Sequence, residues 1–403
     1  MVEPTGSLRA LREMNRLRVL EAVRSGGRTS RADVARRTGL ARSTVSTLVA
    51  DLQSAGIVVE RVEDDRDRAT RRNGRPPTLL TLNPSAGAVL GIRLDHPIVT
   101  VAVADLDHTI LAEATRAVNV DEAGAEALDC AAELADEVLL DAGIARDQLL
   151  GAGVGLAGPL DRDSGTVAGT GVLPGWRGLN VADELATRLG VPIHVDNDAN
   201  LGALAEAVLG AGRGSRELAY VMVSSGVGCG LVLDGRLYRG AGGTAGEIGH
   251  VLVDEHGPMC RCGNRGCLET YAGGDALVEL LRRSHGDDVT IGSIVALALA
   301  GDPGATRAIA DAGRFVGRAV AALCNYLSLE RIVVGGDVAA AGELLLTPLR
   351  EAVRRFALPT AAERVEIVAG ELQGRAEMLG ALVLVVGESE RALSGALRTA
   401  VGR

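Results

Sequence analysis

Three short runs carry side chains able to do chemistry together. The first is "HVDNDAN", residues 194–200, where two aspartates and two asparagines follow a short apolar run. A carboxylate such as Asp198 can take a proton from a bound hydroxyl as a general base. The same residues suit a polar turn, with Asp198 or Asn200 capping the helix that follows. The second run is "GEIGH", residues 246–250, whose small residues place His250 at a strand or loop edge. The third is "CRCGNRGCLE", residues 260–269. Cys260, Cys262 and Cys267 form C-x-C-x4-C, and the glycines and Asn264 let the knuckle wrap an ion. Thiolate-rich ligation favours zinc over magnesium or calcium. A closed tetrahedral site needs a fourth ligand, and His250 and His256 are both near. With no position left for water, the zinc would be structural.

The bulk of the chain sets limits on this chemistry. At 403 residues there is room for two or three domains, and a hydrophobic content of 47% excludes a largely disordered chain. No apolar run approaches the roughly 20 residues of a membrane span. The opening "MVEPTGSLRALREMNRLRVL" lacks the apolar core and cleavage site of an export signal, so a cytoplasmic protein without a membrane partner is expected. Three of the six cysteines crowd into eight residues, which in a chain without an export signal reads as metal binding, not as a disulfide framework. Every basic residue is arginine. That excludes a Walker-type phosphate loop and a Schiff-base lysine.

Charge divides the chain. Residues 1–80 hold 16 Arg against 10 Asp plus Glu, a net of +6, whereas the whole chain is -10, which leaves -16 on residues 81–403. A basic head on an acidic body suggests a nucleic-acid-binding module joined to something else. In the head, Leu17, Leu20 and Val23 recur at helical spacing before Gly26 and Gly27. Ser30 caps a short helix with Val34 inside, Gly39 turns the chain, and a longer helix buries Val45, Leu48, Val49 and Leu52. This is helix-turn-helix order. Arg31, Arg42, Ser43, Thr44, Ser46 and Thr47 are the groups such a fold presents to DNA. The β-prone pieces "IVVERV" and "PTLLTL" flank a charged tip and read as the wing, with Arg71, Arg72 and Arg75 set for phosphates or the minor groove. The competing reading is a three-helix interaction domain that never touches DNA.

From about residue 85 apolar strand-type runs alternate with helical stretches, an α/β body. Helices are expected near 123–142, 181–189 and 200–209. The strand-rich block at 88–111 recurs at 217–240, which suggests two related lobes with a cleft between them. Glycine runs are weak signals here. "GVGLAG", residues 153–158, matches G-x-G-x-x-G, but Pro159 and a turn follow it, so a dinucleotide site is not expected. "SSGVGCG" (224–230) and "VVGGD" (333–337) are places where a backbone can approach a ligand.

Together, "NDAN", "GEIGH", "CRCGNRGCLE" and the winged head resemble the ROK family, which groups sugar-responsive repressors, of the xylose and N-acetylglucosamine type, with sugar kinases. The resemblance covers nearly the whole chain. It implies a winged helix-turn-helix over residues 1–82 and a two-lobed actin/hexokinase-like body over residues 83–403, with sugar in the interlobe cleft. It implies that Asn197, Asp198, Glu247, His250 and Glu269 contact sugar hydroxyls, Asp198 matching the base of the kinases. It also selects His250 over His256 as the zinc ligand. One departure bears on activity. The kinases open the body with D-x-G-G-T, which receives the phosphates of ATP. Here "GIRLDHP" puts Arg93 in place of the Asp and Asp95–His96 in place of the glycines. Phosphoryl transfer depends on positioning and neutralising those phosphates. The expectation is therefore a sugar-responsive repressor, not an enzyme, with structural zinc, acting on operator DNA as a homodimer or homotetramer. The alternative is an ATP-dependent sugar kinase carrying a DNA-binding head. A third possibility is an architectural DNA-binding protein with an inert body.

Overall fold

The computed structural model describes residues 15–16, 18–20, 22–23, 29–54, 56–62, 78–83, 86–158, 160–161, 165–167 and 173–400, with the backbone alone at 61–62, 78 and 389–400. The described residues between 15 and 23 are helical, and Val19, Leu20 and Val23 are buried. Leu17 lies outside the described residues. Strand β1 (Thr29–Ser30) leads into α1 (Arg31–Thr38). Ser30 caps α1 by accepting from the Asp33 N–H, and the Asp33 carboxylate accepts from the Ser30 N–H at 3.2 Å. Two of the orphan donors at the helix start are thereby satisfied. Gly39 ends α1 at φ 69°, a left-handed conformation that glycine reaches without a Cβ clash. Helix α2 (Arg42–Ser54) buries Val45, Leu48, Val49 and Leu52 on one face. Strands β2 (Val58–Val62) and β3 (Thr78–Leu82) pair antiparallel, Val58 opposite Leu82, and β1 adds to the other side of β3. This is a winged helix-turn-helix. Arg71, Arg72 and Arg75, expected on the wing, lie outside the described residues.

The body has two lobes of one plan. The first contains β4 (Ala88–Asp95), β5 (Ile98–Ala104), β6 (Ile110–Ala117), α3 (Gly124–Ala142), β7 (Leu149–Leu156), α4 (Val181–Leu189) and β8 (Ile193–Asn197). Its five strands lie in the order β6-β5-β4-β7-β8. Helix α5 (Asp198–Val208) then crosses to the second lobe. There follow β9 (Leu218–Val223), β10 (Val227–Leu233), β11 (Arg236–Tyr238), α6 (Glu269–Ala272), α7 (Gly274–His285), α8 (Ile291–Leu299), α9 (Pro303–Leu327), β12 (Arg331–Gly335), α10 (Glu343–Phe356), α11 (Pro359–Arg364) and β13 (Glu366–Ala369). The second sheet is β11-β10-β9-β12-β13. In each sheet the first three strands form an antiparallel meander, and the last two join parallel through helical crossovers. The recurrence of the strand block in the sequence is this repeated topology.

The last helix, α12 (Ala376–Ala400), returns to the first lobe and packs on β4, β7 and α5. Glycine makes this approach possible. A Cβ on Gly153 would stand 2.0 Å from the Ala381 carbonyl oxygen, and one on Gly380 would stand 2.0 Å from that of Leu201. The "GVGLAG" run thus serves strand–helix packing. Each lobe has its own aliphatic core. Among the described residues no helix is long and apolar enough to cross a membrane.

Candidate sugar and metal site in the interlobe cleft

Strand β8 passes into α5 without a loop, so the "HVDNDAN" run sits where a strand end becomes a helix start. The helix cap is Asn197, not Asp198 or Asn200. Its backbone is extended, and its side-chain oxygen accepts from the Asn200 N–H at 3.2 Å. Its Nδ2 donates to the Gly158 carbonyl at 3.1 Å, which ties the cap to the end of β7. Asp198 is left as the first residue of α5, with Oδ1 accepting from the Ala199 N–H at 2.7 Å. Burial pushes its carboxyl well above the ordinary range, and the negative charges of Glu377, Asp95 and Glu247 push the same way. Those three neighbours come from α12, β4 and the second lobe. The fold has therefore gathered distant carboxylates around Asp198.

Facing it, Glu247 begins the short turn that carries His250. The two side chains approach at 3.8 Å through His250 Nε2. Burial raises the Glu247 carboxyl. The other ring nitrogen, Nδ1, lies 3.6 Å from Cys260 Sγ, and Cys262 Sγ lies 3.7 Å from Cys267 Sγ. One ligand atom from each of these four residues lies within 4.8 Å of all the others. A tetrahedral zinc with Zn–S of about 2.3 Å and Zn–N of about 2.0 Å requires S···S near ~3.8 Å and S···N near ~3.5 Å. The donor set and spacing fit that ion. His256 is outside the group, its side chain 86% exposed beside Glu255. Backbone bonds shape the knuckle: Cys260 N–H to the Asn264 carbonyl at 2.8 Å, and Gly266 N–H to the Pro258 carbonyl at 2.7 Å.

Glu269 opens α6 directly after the knuckle. Its carboxylate accepts from Arg261 Nε at 2.9 Å and from the Val227 N–H at 3.3 Å. A Cβ on Gly226 would stand 2.3 Å from this carboxylate, so the first glycine of "SSGVGCG" makes room for Glu269, while Ser224 and Ser225 of the same run line the hollow between the lobes. Arg261 was not anticipated from sequence, although it lies inside the cysteine motif. Asp196 was also missed. It is buried, and it accepts from the Asn197 N–H, from Asn200 Nδ2 and from Arg239. The only signal was its place two residues before Asp198.

At the end of β4, Arg93 stands among carboxylates. Arg93 reaches Glu377 through Nε at 2.7 Å and Asp95 through Nη2 at 2.5 Å. Glu377 had no sequence signal. The neighbouring hollow between the lobes measures about 1170 Å³, and Asp95, Asp121, Asp275 and Asp337 line it, with Arg261. Burial raises the Asp95 and Asp275 carboxyls, and nearby Arg93 and Arg261 oppose that shift.

In the head, Arg42, Ser43, Ser46 and Thr47 are exposed on the first turns of α2, and Thr44 is half-buried. Arg31 is engaged within the head: its guanidinium pairs with Glu60 at 2.5 Å and donates to Gln53 Oε1 at 3.1 Å.

Comparison with known proteins agrees with this architecture. The model of the ROK family matches residues 89–388, and that of the MarR family matches residues 13–69. A xylose repressor of Caldicellulosiruptor bescii is 28% identical over 396 residues, 95% of this chain and 98% of its own. A glucokinase of Thermotoga maritima is 35% identical over 250 residues, 58% of this chain and 78% of its own, so it matches only part of this chain. A crystal structure of a ROK-family transcriptional regulator, a homologue of the Escherichia coli MLC protein, superposes with a TM-score of 0.78 at 26% identity, covering 95% of this chain and 98% of that one.

Proposed function

The chain belongs to the ROK family and carries a MarR-type DNA-binding head, and from that premise we propose that it is a sugar-responsive repressor whose kinase-like body binds a sugar and transfers no phosphate. It is a DNA-binding regulator by its relatives, whose likeness runs from head to body. The observation that carries the finer reading is Arg93, held between Asp95 and Glu377 where the family's kinases receive ATP phosphates. A triphosphate would have to break two ion pairs and then face Asp95 and Asp337. The working parts are a head of residues 1–82 and a body of residues 83–403.

The effector is an aldose held between the lobes. Asn197 and Asp198 offer amide and carboxylate to its hydroxyls from one side; Glu247, His250 and Glu269 do so from the other. Leaving any of these polar groups unpaired on binding is costly, which is how such a site discriminates between sugars. Zinc on His250, Cys260, Cys262 and Cys267 is structural. It fixes the imidazole so that Nε2 is available on the sugar side. A ligand spanning both lobes favours the lobe angle it fits best, by its difference in affinity for the two arrangements. In a cytoplasmic homodimer or homotetramer, that angle sets the separation of the heads on a palindromic operator.

The test is a mobility-shift titration on the DNA upstream of the chain's own gene, with D-xylose, D-glucose and N-acetyl-D-glucosamine as effectors. One aldose is expected to weaken the complex at least tenfold; no response to any sugar would sink the effector reading. A coupled ADP-release assay on the same sugars is expected to show no turnover. Turnover abolished by Asp198→Asn would establish the kinase reading instead.

On α2, Arg42→Ala is expected to weaken DNA binding by about tenfold, evenly across operator variants. The slope of log affinity against log salt should fall by about one, as for one lost phosphate contact. An unchanged slope with altered sequence preference would reassign Arg42 to base readout.

A further inference from the structure

A partly buried ion pair joins the lobes behind the residues proposed to face the sugar. Asp196, in β8 of the first lobe, is 4% exposed. Arg239 follows β11 of the second lobe, and its side chain is 26% exposed. The arginine donates to Oδ2 from Nε at 2.7 Å, and its Nη2 stands 2.5 Å from the same oxygen in the ion pair. Oδ1 accepts from the Asn197 N–H and from Asn200 Nδ2, both at 2.9 Å. Both oxygens of this carboxylate are thus engaged, by three hydrogen bonds and the ion pair. Two of its bonds hold the start of α5, where Asn197 and Asp198 stand. The third, with the ion pair, holds an arginine whose own carbonyl accepts from the Ala245 N–H at 3.1 Å, closing the loop that delivers Glu247 and His250.

We propose that Asp196 and Arg239 are a positioning pair that fixes the spacing between the Asn197–Asp198 side of the cleft and the Glu247–His250 side. Neither residue touches the sugar; each presents a run that does. The pair is one unit, because a carboxylate this enclosed gains its worth only when the arginine meets it, and the arginine aims its loop only while the carboxylate is there. The proposal rests on the sugar-binding reading above.

The experiment is a double-mutant cycle with Asp196→Asn, Arg239→Ala and the double variant in the full-length protein. Affinity for the aldose of the panel that wild type binds tightest is measured by calorimetry. Hydrogen exchange of residues 198–201 and 240–250 is measured without sugar. Each single variant is expected to bind the aldose about tenfold or more weakly, and the double variant no more weakly than the worse single. Exchange should rise in both segments whichever partner is changed. Arg239→Lys is expected to recover part of the affinity, since it keeps the charge and loses the planar fork. Wild-type affinity in the single variants, or losses that multiply in the double, would overturn the proposal. If Asp196→Asn does not fold, Arg239→Ala and Arg239→Lys decide it from the more exposed partner. If wild type binds no aldose, the sugar reading fails. The exchange measurement still decides the pair, because a rise confined to the segment that carries the mutation would refute the coupling.

Discussion

Replacing Cys267 with serine is expected to empty the metal site and abolish the response to sugar while the head still binds DNA. Cys267 is 1% exposed and is followed by Leu268, at 0% in the core of the second lobe, and then by Glu269. Its side chain therefore anchors the knuckle directly to Glu269, one of the residues proposed to meet the sugar. Metal affinities of structural zinc sites are on the order of 10–16 kcal/mol. Shared over four ligands, that is roughly 3 kcal/mol each, so loss of one weakens binding by about two orders of magnitude. Without the ion, His250 loses its partner on Nδ1 and no longer holds Nε2 toward Glu247. The head is spared because its core is closed within itself: Val19, Leu20, Val34, Val45 and Leu52 pack with Leu80 and Leu82. After dialysis against a chelator of intermediate strength, plasma emission spectrometry should read about one zinc per wild-type chain and almost none in the variant. A strong chelator should reproduce the lost sugar response in the wild type. A variant that keeps a full equivalent of zinc would refute the ligand set, and a metal-free protein that still answers to sugar would refute the link between metal and effector.

The second large effect belongs to Asp198→Asn. The substitution keeps shape and an oxygen to accept the Ala199 N–H, and removes only charge and one acceptor. Hydrogen bonds to a charged group contribute about 1.5–3 kcal/mol, so aldose affinity should fall roughly 10- to 100-fold. Stability should move the other way. The Asp198 carboxyl titrates above its ordinary range because it is buried beside Glu377, Asp95 and Glu247. A carboxyl raised in the folded state binds protons more tightly there than in the unfolded chain. Folding then loses stability as pH climbs from the ordinary carboxylate range through the raised value. At neutral pH the asparagine variant is relieved of that penalty and should melt at or above the wild-type temperature. The difference should shrink as pH falls toward the ordinary carboxylate range. Calorimetric melts from pH 4 to pH 8 with a parallel sugar titration check both signs. An asparagine variant that binds aldose normally would remove Asp198 from the sugar site.

Much of this was written locally in the chain. The stripe of Val45, Leu48, Val49 and Leu52, the Ser30 cap and the Gly39 stop specify the head, because helix period and capping act within a few residues. The C-x-C-x4-C knuckle is equally local, since its ligands must close around one ion. Similar strand blocks at 88–111 and 217–240 announced two lobes for the same reason: each meander is built from neighbouring hairpins. What sequence left open were partners brought together by tertiary packing. Spacing offered His250 and His256 alike; the turn after Glu247 brings one ring to the thiols and leaves the other in solvent. Asn197 rather than Asp198 became the cap, because β8 runs straight into α5 and the last extended residue takes that role. Arg93 stood out in the sequence, but its pairing with Glu377 required the last helix to return across the first sheet. The Asp196–Arg239 pair lies 43 residues apart, on two lobes. Periodicity tells which face of an element is buried and is silent about what buries it. For this protein, sequence determined the modules and the cysteine knuckle; the packing of α5 and α12 against the first lobe and the approach of the second decided which charges meet.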